Sequence, residues 1–76
     1  MSKDVQIYVS LLDEGVDVWR PVRAERLHSN QYRIAQQPYD RAIETWQFEP
    51  GDEVICEMVK TSDGLILAAT RRAEQG

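Results

Sequence analysis

The apolar residues of this chain recur at every second position rather than every third or fourth, and that spacing predicts strands. Between Val5 and Leu12, the residues Val5, Ile7, Val9 and Leu11 share one parity, while Gln6, Tyr8 and Ser10 occupy the other. Asp13-Glu14-Gly15 follows with turn chemistry, Gly15 being free to take a positive φ. A second run, Val16 to His28, places Val18, Val22 and Ala24 on one parity and Trp19 and Leu27 on the other. Pro21 lies inside it and has no N–H to give a ladder, so an edge strand or a bulge is expected here in place of a central, fully paired strand, with a bend near Trp19–Pro21. Ser29-Asn30 marks the next turn, after which Gln31 to Ala35 alternates around Tyr32 and Ile34.

From Gln36 to Thr45 the alternation fails. Pro38 and Asp40 predict a loop there, with one short helical turn near residues 38–45 capped by Asp40. Trp46 and Phe48 resume the pattern, Pro50-Gly51-Asp52 turns the chain, and Glu53 to Lys60 reads as a strand with Val54, Cys56 and Met58 on one face. Thr61-Ser62-Asp63-Gly64 is the clearest hairpin signal, because Asp-Gly favours the primed turns that match strand twist. Leu65 to Thr70 closes the sheet. The expected fold is all-β, a small five-stranded SH3-like barrel, since an open sheet would leave edges and an uncovered apolar face. It forms a single domain over residues 1–76, ordered from about residue 4 to about residue 70, with 71–76 as a flexible or helical tail.

The string Leu12-Asp-Glu-Gly-Val-Asp-Val-Trp-Arg-Pro-Val22, followed by Tyr32-Arg-Ile34, Glu44-Thr-Trp-Gln-Phe48, Pro50-Gly-Asp52 and Val54-Ile-Cys-Glu57, resembles a family of small uncharacterised bacterial proteins with an SH3-like barrel fold. The resemblance runs from about Val5 to Ala69. It implies the fold and a bacterial source, and it brings no activity, cofactor or catalytic residue.

Composition narrows the chemistry. A chain of 76 residues buries only about 63% of the surface its unfolded form exposes, so the core is thin. One cysteine excludes an internal disulfide, and Cys56 with His28 cannot by themselves close a zinc site. The expected compartment is the cytoplasm, because the first apolar run is too short and too interrupted for a signal peptide or a membrane span. No catalytic, cofactor-binding or metal-binding residues are assigned. Cys56 sits on the apolar parity, His28 at a strand end, and the acid pairs Asp13-Glu14 and Asp52-Glu53 in turns, without the burial that general acid catalysis requires.

The net charge of −4 hides an uneven distribution. Arg20, Arg23, Arg26 and Arg33 face only Glu25 between Val18 and Gln36, whereas Asp40, Glu44, Glu49, Asp52, Glu53 and Glu57 face only Arg41 in the next stretch. Pairing across strands is one account of this split, and an arginine-bearing recognition face is the other. Together with the aromatic residues, the pattern predicts a binding or adaptor module for a protein partner. Trp19, Tyr39 and Trp46 form its contact surface and Arg20 and Arg23 its rim. The alternatives are RNA binding through arginine and stacked bases, which the acidity disfavours, and self-association through a strand edge carrying Ile55, Val59 and Ile66.

Overall fold

The computed structural model describes residues 4–16 and 18–73. Six strands follow one another: β1 (Asp4–Leu12), β2 (Trp19–His28), β3 (Gln31–Ile34), β4 (Thr45–Trp46), β5 (Glu53–Thr61) and β6 (Gly64–Arg72). There is no helix among the described residues, and the fold is all-β. The pairs β1–β2, β2–β3, β3–β5 and β5–β6 are antiparallel. After four reversals the fifth strand again runs in the direction of the first, so the contact that closes the ring, β6 to β1, has to be parallel. It is, and its register is a single pair, Tyr8 with Ala68. The two-residue β4 lies outside this five-strand ring, paired with Leu11 and Leu12.

Period-two alternation builds the interior. Ile7 and Val9 from β1, Val22 and Ala24 from β2, and Tyr32 and Ile34 from β3 are buried together with Val54 and Cys56 from β5. Trp46 and Phe48 close one end. Burying each of the larger aliphatic side chains stabilises the fold by about 1.5–3 kcal/mol. Burial also pushes the Cys56 thiol up to about 11, because a thiolate would have to form without water.

Pro21 fits where it stands because of the side its missing N–H faces. Two residues on, the Arg23 N–H donates to Gln37 Oε1 (3.0 Å), and its carbonyl accepts from the Ala35 N–H (3.0 Å). Odd-numbered residues here therefore turn their backbone groups away from β1, and β3 begins to pair only at Ala24. Gln37 continues that edge with its side chain. Its Nε2 donates to the carbonyls of Arg23 (2.9 Å) and Ala35 (2.8 Å), substituting for a strand that has ended.

Several expectations are corrected. β2 starts at Trp19, so Val16 and Val18 precede the strand, and Asp17 lies outside the described residues. In the first turn it is Asp13 that takes positive φ (64°), where its short polar side chain tolerates the left-handed region. The β5–β6 hairpin forms as expected, but Ser62 and Asp63 are its two loop residues, and positive φ (113°) falls on Gly64, the first residue of β6. Met58 shares the parity of Cys56 yet is 60% exposed, because it lies past the last partner in β3. The chain's end is more ordered than expected: β6 continues through Arg71 and Arg72, and Ala73 is buried with its N–H donating to the Glu53 carbonyl (2.9 Å). Residues 74–76 lie outside the described residues.

The loop around Asp40 and the Pro50-Gly51 turn behave as the sequence suggests. The Asp40 carbonyl accepts from the N–H groups of Ile43 and Glu44 (both 3.1 Å), and its Oδ1 accepts from the Ala42 N–H (2.9 Å), which makes one capped turn. Gly51 takes φ 95° between Pro50 and Asp52, as a type II turn requires.

Two measurements check this account. Gln37→Ala should lower the unfolding free energy in urea by about 1 kcal/mol, because the Arg23 N–H and the Ala35 carbonyl lose the Gln37 bond and the Arg23 carbonyl keeps only the Ala35 N–H. Native protein at pH 8 should leave Cys56 unreacted toward a thiol-specific disulfide reagent, with full reaction only after denaturation.

Candidate functional site

The five residues expected to form one recognition surface are divided between two clefts and the rim of the sheet. Arg20, Tyr39 and Trp46 line one open cleft of about 640 Å³, together with Pro21, Pro38 and Arg41. Trp19 lines a second, of about 800 Å³, with Tyr8, Val18, Val59 and Ile66. Arg23 lines neither, and its guanidinium is 3.6 Å from the Asp4 carboxylate.

In the first cleft the side chains are already occupied with one another. Trp46 is only 5% exposed, and its ring stacks on Tyr39 with centroids 4.3 Å apart and planes 19° from parallel. The Arg41 guanidinium caps the other face of Tyr39 at 4.5 Å and pairs with Glu49. The Trp46 indole N–H donates to Glu44 Oε1 (2.7 Å), and the Tyr39 hydroxyl accepts from the Trp46 backbone N–H (2.7 Å). Arg20 then grips Glu44 with two bonds, 2.8 Å from Nε and 2.7 Å from Nη2. These bonds hold the Glu44 carboxyl below its ordinary range, the Arg20 bond contributing most and the Trp46 bond next. The group is a clasp. It fixes the 35–44 loop over one end of the core, and it offers no free aromatic face or uncommitted cation to a ligand.

The second cleft is different in kind. β1 and β6 pack side by side but share one ladder pair, Tyr8 with Ala68, and from Ala68 toward its tip the β5–β6 hairpin has no further ladder partner among the described residues. Trp19 and Tyr8 form one wall and Val59 and Ile66 the other, with the hairpin tip Lys60 to Asp63 at the mouth. Trp19 is half-buried, and its indole N–H has no protein partner among the described residues. A cleft with apolar and aromatic walls, a polar mouth and an unused indole donor suits an apolar side chain carried on a polar backbone. The sequence had placed Trp19 on the recognition surface together with Tyr39 and Trp46. It had not indicated Tyr8, Val18, Val59 and Ile66 as its companions, although Val59 and Ile66 are legible as apolar residues on the second face of their strands.

Arginines are mostly spoken for. Arg20, Arg23, Arg33, Arg41 and Arg72 each lie within ion-pair distance of a carboxylate, from Glu44, Asp4, Glu25, Glu49 and Asp52 respectively. The opposite charges of the two stretches are thus used within the fold, mostly in exposed pairs worth about 0–1 kcal/mol each. Among the described residues no cluster of histidine, cysteine and acidic side chains could hold a metal ion, and no helix is long and apolar enough to cross a membrane. Comparison with known protein families, curated proteins and solved structures finds no match.

The clasp makes stability depend on acid. A carboxyl held below its ordinary range contributes stability that is complete above that range and is lost as pH falls through the folded-state value. The unfolding free energy of the wild type should therefore exceed that of Glu44→Gln most at neutral pH. The difference should shrink below about pH 4 in denaturant titrations across pH.

Proposed function

We propose that this chain is a non-enzymatic cytoplasmic module with an SH3-like barrel, which binds an extended segment of a protein partner in the Trp19 cleft. The observation that carries the reading is the contrast between the two tryptophans. Trp46 is buried and hydrogen-bonded within the fold, whereas Trp19 is half-buried in the wall of a cleft with its N–H unused. Aromatic walls with a free donor are the means by which small β domains hold a side chain and orient the backbone that bears it. In this reading Arg20, Tyr39 and Trp46 hold the 35–44 loop and lie outside the contact surface. An RNA reading is not favoured, because the arginines that would meet phosphates are engaged with carboxylates.

A phage-displayed library of random peptides is the direct probe. Enriched peptides should shift the indole resonance of Trp19 and the methyl resonances of Val59 and Ile66 while leaving the Trp46 indole in place. Trp19→Ala should weaken them at least about tenfold without loss of fold. Failure to enrich any peptide, or peptides that bind the Trp19→Ala protein as tightly as the wild type, would refute the reading.

A further inference from the structure

We propose that two copies of this chain associate through the free edge of β5, arm to arm, which places two Trp19 clefts on one face of a continuous sheet. This goes beyond the binding reading and rests on a different observation. β3 pairs with β5 only as far as Ile55, and the next outward amide, that of Cys56, donates to the Asn30 carbonyl (2.8 Å). From Glu57 to Thr61 the edge has no neighbouring strand among the described residues.

Hairpin geometry decides which backbone groups this edge presents. Thr61 and Gly64 close a two-residue loop, so Thr61–Gly64, Val59–Ile66 and Glu57–Ala68 exchange hydrogen bonds across the hairpin. The alternate residues Met58 and Lys60 point their N–H and C=O groups outward, on the same side as the Cys56 amide. Four uncommitted backbone groups therefore stand in a row on a protruding two-stranded arm. Met58 and its diagonal neighbour Leu65 are 60% and 66% exposed there.

The occupant is a second copy because the edge complements itself. In an antiparallel pair centred on Val59, Met58 of each copy lies opposite Lys60 of the other, and four main-chain hydrogen bonds form. Val59 meets Val59 at the close, non-bonded position. Glu57 lies opposite Thr61, and no like charges lie directly opposite each other, while the two Lys60 ammonium groups, diagonal neighbours in this register, reach outward into water. The Lys60 methylenes lie against the exposed Met58 while the ammonium stays in water. A two-fold axis perpendicular to the sheet keeps faces matched, so both clefts open on the same side. A tandem segment of a partner would then meet two sites at once. Five edge residues make a contact well below the roughly 1,200 Å² of a standard interface, so the association is weak.

Sedimentation equilibrium of the full chain, over a series reaching about 1 mM, tests this. The weight-average mass should rise from 8.8 kDa toward twice that value. Over the same series, exchange of the Met58 and Lys60 amides should slow by about tenfold while that of Leu65 stays unchanged. Met58→Pro removes one outward N–H without touching the hairpin ladder and should hold the folded chain at monomer mass. A monomer at every concentration overturns the proposal. So does association that protects Leu65 in place of Met58, or that survives intact in folded Met58→Pro. None of these outcomes depends on peptide binding, which is read separately at Trp19.

Discussion

Ring closure by an odd number of strands is the constraint from which the rest of this molecule follows. Five strands that reverse at each step must end with the last parallel to the first, and a parallel seam cannot be made by extending a hairpin. Here it is made at one register pair, Tyr8 and Ala68. That single point divides β5 and β6 into two regimes. On one side Val54, Cys56 and Ala69 are buried in the core, and on the other the hairpin leaves the ring as an arm on which Met58 and Leu65 stand exposed. The Trp19 cleft is the space between that arm and the first two strands.

The clasp around Glu44 addresses the opposite end. The loop from Ala35 to Glu44 has no strand of its own, and a loop fixed over a thin core needs side-chain bonds to replace a ladder. Gln37 supplies them along β2, Asp40 caps one turn, and Glu44 joins Arg20 to Trp46. Two aromatic rings that could have formed a recognition surface are in this way drawn into the fold, with Arg41 laid over the outer ring. Their stacking is worth about 0.5–1.5 kcal/mol beyond the area they bury, a substantial contribution where total stability is small.

Much of the architecture was legible in the residues. The parity of Ile7, Val9, Val22, Ala24, Tyr32, Ile34, Val54 and Cys56 predicted the faces that are buried, Pro21 marked the part of β2 that has a partner strand on one side only, and Pro50-Gly51 and Ser62-Asp63-Gly64 predicted turns. Met58 was assigned inward because period two reports the face of a strand and says nothing of how far its neighbours extend. The ordering of Arg71 and Arg72 was hidden for the same reason, since charged residues give no burial signal and Arg72 gains its partner, Asp52, only through the tertiary fold. Of the candidate surface, the sequence could show that aromatic and arginine residues cluster near the loop. It could not show which of them face inward, because the Glu44 bonds that decide this reach back 24 residues to Arg20.

The account turns on two tryptophans having opposite roles, and their indole protons report this in the unaltered protein. Solvent exchange of the two indole N–H resonances, read in a single spectrum series, should show the Trp46 proton exchanging slowly, held by Glu44 at 2.7 Å, and the Trp19 proton exchanging at the rate of an open donor. Equal protection of the two, or a protected Trp19 beside a freely exchanging Trp46, would contradict it.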